Sequence, residues 1–488
     1  LTNLLLHCAN GIVFMVLLQR LGIPGAWFAA ALFCLHPLNV ESVAWVTERK
    51  NVLSLLFYLL CVLSYLRFAF SEKPSSLLRE DEVWRWRPYA VAMLFYICAL
   101  LCKTVVATLP AALLILLWWK KDKLRKADLL PLVPFLSLGA VFGFVTVWIE
   151  KHHVGASGVD WSLPFLGKCL LAGRILWFYL WKFVWPENLI FFYERWKIDP
   201  SVWWQYLYPA LALGALVVLW IMRSRLGRAP FAAAAIYAVT LFPALGFFDV
   251  YPMLYSYVAD HFSYHALLPV FAVLAAGCVQ LATRSTLPRP GPAIIAGGLL
   301  LLVGTLTWRQ CHVYENLWTL YGDILEKNPT AWAAHNNIGN LYFDARNEKK
   351  AGEHYREALR LYPANAEAHS NLGRVYNVDR RFEDAEKEFR TALKIRPDYC
   401  EANYSLGWAL ANLGKCDEAE KHFREAARAR PHDPVVQCSF ATGMEMCGRI
   451  AEAESIYKLV LQLQPGFPVA VESLARIERK RRENAYPK

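Results

Sequence analysis

The sequence lacks most of the short motifs that mark soluble enzymes. Its 12 cysteines include no C-x-x-C pair and no Cys/His cluster with zinc spacing. No glycine-rich nucleotide loop precedes a helix, and neither a Ser-His-Asp arrangement nor a His-Glu-x-x-His pattern is present. We therefore expect no metal site and no cofactor. Nucleotide-binding, serine-hydrolase and zinc-dependent chemistry are disfavoured from the start.

The chain also lacks the features of a secreted precursor and of a nucleic-acid-binding protein. It begins at Leu1 with neither a Met nor a basic leader region, so we expect no signal peptide and a chain that is the remainder of a longer protein. The net charge is +11, but much of it lies in short loops between apolar runs. Positive charge in such loops sets membrane orientation, so we expect no nucleic-acid partner.

Long apolar runs are abundant in the first two thirds of the chain. The 488 residues are 56% hydrophobic and 19% charged, which suggests a membrane domain over residues 1–308 joined to a polar part. Several runs are shorter than the roughly 20 residues of a lone spanning helix, which neighbouring helices can compensate. The candidate spans number about ten: Asn3–Leu18, Pro24–Leu35, Val52–Leu66, Pro88–Leu101, Val105–Trp119, Leu129–Ile149, Trp203–Met222, Ala229–Phe248, Ala266–Ala282 and Pro292–Trp308.

The basic loops predict the orientation of these spans. Lys/Arg-rich loops usually face the cytoplasm. The four basic loops lie at Arg67–Arg87, Lys120–Lys126, Arg223–Arg228 and Arg284–Arg289. Counting the spans between them places all four loops on the same side of the membrane only if the run at 165–185 does not cross it. We therefore expect this run, which is rich in Trp and Lys/Arg, to be an interfacial or re-entrant helix. The loop His36–Asn51, Lys103, Asp249–His265 and everything after Trp308 then lie on the other side.

From Trp332 the sequence repeats every 34 residues. Glycines (Gly339, Gly373), alanines, an aromatic residue and a closing proline recur in one register, which is typical of tetratricopeptide repeats. We expect an all-α protein, a polytopic membrane helix bundle followed by a tetratricopeptide-repeat solenoid. The predicted boundaries are a half-repeat junction helix at 309–331, repeats at 332–365, 366–399, 400–433 and 434–467, and a capping helix and tail at 468–488.

The repeat register also predicts a groove for a protein or peptide. First-helix positions of such solenoids line a concave surface that can bind an extended chain. The alternative is that the same side chains merely solvate the helices. The candidate groove residues are Asn336, Asn340, Arg374, Asn377, Tyr404 and Trp408.

Charged residues are concentrated in the short connector 35–51. His36, Glu41, Glu48 and Arg49 surround a small apolar face. Charged groups tethered at a membrane border suggest a functional site. The alternative is a solvated turn anchored by Trp45.

Other candidate residues lie on the same predicted side. Lys103 ends an apolar run and could contact a phosphate, although snorkelling would also explain it. The segment VADHFSYH carries Asp260, His261 and Tyr264, which can position sugar hydroxyls or a phosphate. Arg195 lies in a comparable aromatic border segment. Both segments could equally be polar caps on an aromatic belt.

The combination of these segments resembles a known family. The pattern HP-x-x-x-E-x-V-A-W-V-x-E-R-K beginning at His36, the Lys103 segment and VADHFSY, followed by the repeats, is similar to the transmembrane-and-tetratricopeptide-repeat O-mannosyltransferases, and most of all to their bacterial relatives. The resemblance covers nearly the whole chain. It implies a GT-C type membrane glycosyltransferase that moves a sugar, with mannose expected, from a polyprenyl-phosphate carrier to Ser/Thr hydroxyls of proteins.

The resemblance also implies where the chemistry lies. The family's catalytic aspartate lies in the first extracytoplasmic loop, and this chain begins at the second span, so we expect the main base upstream of Leu1 and an inactive fragment. Relatives often carry Arg where this chain has His261. We expect Arg49 and Lys103 on the phosphate, and Glu41 in support with His36 orienting it.

Two other functions compete with a transferase. A membrane-anchored scaffold would use the repeats to bind proteins without chemistry, and a transporter of lipid-linked sugar would need ionisable groups at mid-span. Polar residues gathered at one membrane face favour the transferase. The expected setting is the plasma (inner) membrane, multi-pass, with the repeats extracytoplasmic and with membrane lipid, the lipid carrier and a protein acceptor as partners.

Overall fold

Helices account for nearly all regular structure in the computed structural model, which describes residues 1–70, 79–154, 163–284 and 290–485. No strand occurs in these residues, which confirms the all-α prediction. Two compact units divide the chain, Leu1–Asn328 and Pro329–Lys488. The sequence boundary near Trp308 lies within the first unit, because the last long apolar helix continues to Val313 and one further helix packs with that unit.

The first unit contains helices α1 to α15. They are α1 (Thr2–Arg20), α2 (Ala26–Leu35), α3 (Val40–Ala44), α4 (Arg49–Ala69), α5 (Arg79–Cys102), α6 (Leu109–Lys120), α7 (Lys126–Leu129), α8 (Val133–Ile149), α9 (Phe165–Val184), α10 (Leu207–Ile221), α11 (Arg223–Leu226), α12 (Ala229–Leu241), α13 (Leu268–Arg284), α14 (Gly291–Val313) and α15 (Leu317–Lys327). Short 3-10 turns at Pro37–Asn39, Val46–Glu48, Thr104–Thr108 and Asp260–Phe262 carry the border segments.

Length and composition identify the helices that can cross a bilayer. Within the described part of the chain, five segments qualify: Thr2–Arg20, Val46–Ala69, Lys126–Val154, Trp203–Ile221 and Gly291–Val313. The bent pair Ala26–Leu35 and Pro37–Ala44 is a sixth if it forms one broken span. Four shorter apolar helices follow the remaining runs: Trp86–Cys102, Thr104–Lys120, Ala229–Ala244 and Leu268–Arg284. Each candidate run from the sequence overlaps one of these segments, and a total of ten crossings remains a prediction.

Helix α9 differs from its neighbours in charge. It carries Lys168, Arg174 and Lys182 and is not among the described helices that qualify as spans. Lys168 Nζ pairs with the Asp249 carboxylate at 2.9 Å, and the Arg174 guanidinium lies 4.2 Å from the centre of the Trp196 ring. Each cation is therefore matched by a polar or aromatic partner. The interfacial position of α9 remains a prediction.

Close backbone approach holds α9 against α10. A Cβ atom added at Gly173 would lie 2.4 Å from the backbone nitrogen of Pro209. Helices in membranes associate through such small residues, because lipid supplies no hydrophobic drive for their contact. A glycine is therefore required at this crossing.

The second unit is a run of helix pairs. They are α16 (Trp332–Asp344) with α17 (Glu348–Leu361), α18 (Ala366–Val378) with α19 (Phe382–Ile395), α20 (Cys400–Asn412) with α21 (Cys416–Ala429), and α22 (Pro434–Met446) with α23 (Ile450–Leu463), followed by α24 (Pro468–Ala485). A Cβ at Gly373 would lie 2.7 Å from the Phe389 ring. The recurring glycine thus makes room for the recurring aromatic residue of the paired helix.

Links between successive pairs stabilise this second unit. A disulfide joins Cys416 at the start of α21 to Cys447 at the end of α22, 31 residues apart. Ion pairs repeat in the 34-residue register, with Arg390 on Glu418 and, one repeat later, Arg424 on Glu452. The sequence reading predicted neither link.

Candidate functional site

Proline and asparagine shape the segment that follows α2. Pro37 lacks the backbone N–H of a continuing helix, so α2 ends at Leu35 and a 3-10 turn begins. The Asn39 side chain donates to the Phe33 carbonyl at 2.7 Å and satisfies one free carbonyl at the end of α2. The chain then forms α3 and enters α4 at Arg49. This path turns Glu41 inward.

Glu41 is buried and bound to the 260–262 turn. Its Oε2 accepts the backbone N–H of His261 at 2.9 Å, and its Oε1 lies 2.8 Å from His261 Nδ1. Its residue exposure is only 1%. Both carboxylate oxygens are thus engaged with one partner residue. The structure brings together two residues that are 220 positions apart and that the sequence had singled out separately.

Lys103 lies in the same cluster through Glu48 and Asn51. Its Nζ donates to Glu48 Oε2 at 3.1 Å and to Asn51 Oδ1 at 3.0 Å. The Asn51 amide in turn donates to Ser42 Oγ and to the His261 carbonyl, both at 2.9 Å. Burial lowers the pKa of Lys103, and the charge of Glu48 opposes this effect. Asn51 is therefore the group that joins the lysine to the Glu41–His261 pair.

Burial shifts the pKa values of Asp260 and His261 in the direction that favours their uncharged forms. Burial, and secondly the charge of Glu41, raises the pKa of Asp260 well above its ordinary range. Burial, and secondly the charge of Lys103, lowers the pKa of His261 to about 3. Tyr193 donates its hydroxyl proton to Asp260 Oδ1 at 2.7 Å. The turn therefore contributes hydrogen bonds to the cluster, through Asp260 and through the backbone and ring of His261.

His36 and Tyr264 lie away from the roles expected of them. The His36 ring accepts the Leu38 N–H at Nδ1 (3.3 Å) and donates from Nε2 to the Phe183 carbonyl (3.0 Å), so it does not orient Glu41. Tyr264 Oη lies 2.7 Å from His7 Nδ1 and accepts a hydrogen bond from the Asn10 side chain at 3.2 Å, so its partners lie on α1. Both side chains complete buried packing, because every polar atom inside the bundle needs a partner.

Exposed cations border the buried cluster. Arg49 is exposed at the first residue of α4, and its side chain makes no hydrogen bond or ion pair with another described residue. The Lys50 side chain is 53% exposed and its Nζ lies 3.6 Å from Glu48. Arg195 lies further away, with its guanidinium 4.8 Å from the centre of the Tyr257 ring. We call Arg49, Lys50 and Lys103 the cationic rim: the first two are exposed, whereas the Lys103 side chain is only 18% exposed and is hydrogen-bonded within the cluster.

The segment 186–193, which we call the strap, contacts both the cluster and the end of α15. Lys327 of α15 donates to the Leu189 carbonyl at 3.1 Å, and Asn328 donates to the Phe192 carbonyl at 3.0 Å. Phe191 packs edge-on against Trp45 at 4.7 Å. These contacts hold the strap backbone, and they bring Tyr193 to Asp260.

A polar stripe on α1 was missed from the sequence. Asn3 donates to the Trp45 carbonyl at 3.2 Å and Asn10 to the Val52 carbonyl at 2.9 Å. His7 lies between them on the same face, at spacings of four and three residues. Polar residues with helical period inside an apolar run predict an inward polar face, and this signal was available.

In the repeat unit the predicted groove residues are partly engaged with one another. Asn336 is buried, donates to Glu367 at 3.2 Å and accepts from Asn371 at 3.1 Å. Asn340 accepts from Asn371 at 3.0 Å. The Arg374 guanidinium lies 4.4 Å from the Phe343 ring centre. Asn377 donates to the Ser405 carbonyl at 3.4 Å, whereas Tyr404 and Trp408 are half-buried. All of the predicted groove residues except Asn336 are half-buried and so keep part of their surface available to a ligand.

Comparison with known proteins finds similarity of two kinds, to tetratricopeptide repeats and to protein O-mannosyl-transferases. The tetratricopeptide repeat family profile matches residues 319–366, 339–399 and 370–434. The crystal structure of TTC0263, a thermophilic TPR protein of Thermus thermophilus, aligns over 37% of this chain and 95% of its own at 19% identity, with a TM-score of 0.31. The profile matches confirm that the chain carries tetratricopeptide repeats, and the boundaries of the single repeats remain predictions.

The curated relatives that the chain matches are named as protein O-mannosyl-transferases. The chain is 23% identical over 416 residues to the protein O-mannosyl-transferase TMTC1 of Homo sapiens, covering 75% of this chain and 45% of that protein. It is 33% identical over 113 residues to Tmtc1 of Drosophila melanogaster, covering 22% and 11%. The chain therefore spans less than half the length of these relatives. The matches confirm the resemblance seen in the sequence, and with the apolar helices they support a multi-pass membrane protein.

Proposed function

We propose that this chain is part of a membrane glycosyltransferase. Such an enzyme moves a sugar from a polyprenyl-phosphate carrier to Ser/Thr hydroxyls of proteins. The observation that carries the proposal is the cationic rim of Arg49, Lys50 and Lys103 over a buried network of carboxylates. Fixed cations at a membrane border suit a lipid-linked phosphate, because they stabilise the charge that develops on a leaving group. The similarity to O-mannosyl-transferases supports the same reading.

The reaction requires a cation at the donor and a base at the acceptor. The bond between the sugar anomeric carbon and the phosphate oxygen breaks, a bond to the acceptor oxygen forms, and the acceptor proton passes to a base. We assign Arg49 and Lys103 to the departing phosphate. We assign no base among Glu41, Glu48 and Asp260, because each already accepts a hydrogen bond and is 1–2% exposed.

The buried network has a positioning role in this proposal. Glu41 holds the 260–262 turn, and Asn51 fixes the Lys103 ammonium relative to that turn. His261 is uncharged, so we assign it to Glu41 rather than to the phosphate. A rigid network keeps the lysine aimed at one point without reorganisation during the reaction.

We propose that the repeats bind the acceptor polypeptide. Tyr404, Trp408 and Arg374 offer aromatic and guanidinium groups along successive first helices, spaced by the 34-residue register. An extended peptide can use such a row of contacts.

We further propose an extracytoplasmic location for the charged cluster and for the repeats, with the chain in the plasma (inner) membrane. The Lys/Arg-rich loops occupy the opposite ends of the spans in the sequence-derived topology. The Cys416–Cys447 disulfide supports this assignment, because structural disulfides persist mainly in oxidising compartments.

The decisive experiment measures carrier binding and sugar transfer for Arg49→Gln in the full chain. This side chain is exposed and unbonded to the described residues, so its loss should leave the fold intact. We expect carrier binding and any transfer to fall strongly, by about a hundredfold to a thousandfold for transfer. Lys123→Gln, exposed in a basic loop, is the matched control.

Two further variants, both at Lys103, test whether the cationic rim needs a positive charge at that position. Lys103→Met should lose binding and Lys103→Arg should recover part of it, because the rim needs charge at that point. Unchanged carrier binding in Arg49→Gln and Lys103→Met would overturn the proposal. Peptide binding by a chain that never binds carrier would favour the membrane-anchored scaffold instead.

A further inference from the structure

A second polar site lies at the other end of the bundle. A pocket of about 360 Å³ is lined by Arg20, Arg67 and Lys120 together with Leu21, Leu66 and Phe70. Among these lining residues three are cations and none is acidic. The volume is within the range of roughly 300–1,000 Å³ that is usual for small-molecule sites. Nothing in the proposed transfer reaction uses it.

Three separate helices contribute the cations. Arg20 is the last residue of α1, Arg67 lies in the last turn of α4 and Lys120 is the last residue of α6. Cations at helix C-termini interact favourably with the helix dipole, and Lys120 does donate to the Leu21 carbonyl. The interaction with the helix dipole explains why each single cation lies at a helix end. It does not account for a concave surface on which all three converge beside apolar side chains.

The length of α4 predicts where this pocket lies across the membrane. Arg49 begins α4 at the cluster described above, and Arg67 lies 18 residues later. At 1.5 Å per residue the two arginines are separated by about 27 Å. A bilayer's hydrocarbon core is about 30 Å thick. The pocket is therefore expected at the opposite membrane border, where phospholipid headgroups lie.

We infer that this pocket binds the headgroup of an anionic phospholipid, with its phosphodiester among Arg20, Arg67 and Lys120. The apolar lining of Leu66 and Phe70 suits the glycerol and the first acyl carbons. Basic pockets between membrane helices on the cytoplasmic side bind anionic headgroups by this combination of charge and apolar contact. Nearby Lys121 lies 5.3 Å from the Phe70 ring centre, and its charge is already paired with Asp128.

The test is a lipid titration of the purified full chain in neutral detergent, followed by native mass spectrometry. Wild-type protein should retain phosphatidylglycerol in preference to phosphatidylcholine. The triple variant Arg20→Gln, Arg67→Gln, Lys120→Gln should lose this preference by about a hundredfold, at about fivefold for each cation. Inorganic phosphate at the same concentration should not compete with phosphatidylglycerol.

A matched triple variant controls for general surface charge. Lys123→Gln, Arg225→Gln and Arg284→Gln remove three exposed cations that do not line the pocket, and binding should persist. Should the pocket triple fail to fold, the single variant Arg67→Gln should still weaken binding about fivefold. Equal losses in both triples, equal retention of the two lipids, full competition by inorganic phosphate or an unaffected Arg67→Gln protein would each overturn the inference.

Discussion

Asn51 offers the sharpest test of the buried network. Its side chain is fully buried, donates to Ser42 and to the His261 carbonyl, and accepts from Lys103. Asn51→Leu keeps the approximate size of the side chain and removes all three hydrogen bonds. The Ser42 hydroxyl can rotate toward another acceptor, but the His261 carbonyl and the Lys103 ammonium each lose a partner.

The magnitude follows from these two groups. Leaving one buried polar group without its partner costs about 1–3 kcal/mol. We therefore expect Asn51→Leu to lower the free energy of unfolding of the first unit by about 2–6 kcal/mol. Unfolding in mixed micelles with increasing sodium dodecyl sulfate, followed by circular dichroism, measures this change. Gln280→Leu, at an exposed position of α13, is the control and should change stability little.

A double-mutant cycle tests the physical reason directly. In a Lys103→Met background the lysine no longer needs the amide, so Asn51→Leu should cost less than it does alone. The coupling between the two sites should be about 0.5–3 kcal/mol. A cost for Asn51→Leu below about 1 kcal/mol, or additive effects of the two substitutions, would refute the network as drawn.

Three further outcomes concern the repeat unit. Gly373→Ala should destabilise it by about 1–3 kcal/mol in thermal unfolding, because the new methyl group would overlap an aromatic ring. Replacing Cys416 and Cys447 by Ser should lower the stability of the fourth repeat by about 3–4 kcal/mol in hydrogen exchange, the chain-entropy value for a 31-residue loop. His335 and His354, with Nδ1 atoms 3.1 Å apart, both have pKa values lowered by burial. Their stabilising contribution should be present above about pH 6.5 and lost as the pH falls through the lowered values.

Each of these outcomes has a matched control. In Gly352→Ala the new methyl group would lie 3.3 Å from the flexible Arg356 side chain and 3.6 Å from Val375, an ordinary contact distance, so this change should be nearly neutral. Cys311→Ser removes an exposed free thiol and should leave hydrogen exchange in the repeats unchanged. His354→Gln should remove the part of the acid-dependent loss that comes from burial of His354. Identical pH profiles for that variant and the wild type would contradict the histidine assignment.

The fold could be predicted closely because its signals are local. Apolar runs of helical length, interrupted by Pro and charged turns, define the spans, and a 34-residue register defines the repeats. Gly373 and its equivalents were visible as a period before the ring they accommodate was known. The disulfide was not predicted, since pairing of Cys416 with Cys447 depends on the stacking of successive repeats.

Several residues of the candidate site were predicted from the sequence, but the contacts between them were not. Glu41, Lys103 and Asp260 were selected because charged residues at a membrane border usually have a functional role. Asn51 was overlooked because a single amide in an apolar helix has no distinctive pattern. The role expected of His36 was wrong for a related reason: adjacency in sequence to Glu41 does not imply contact, and its ring nitrogens serve Leu38 and Phe183.

By itself, the sequence determined which stretches are helical, which are apolar enough for a membrane and which repeat, because these properties depend on neighbours within a few turns. Only the tertiary structure decided which polar groups meet. Glu41 and His261 are separated by 220 residues, and Lys103 and Glu48 by 55. Contacts at that separation arise from helix packing, in which each buried polar atom takes whichever partner the packed backbone offers it.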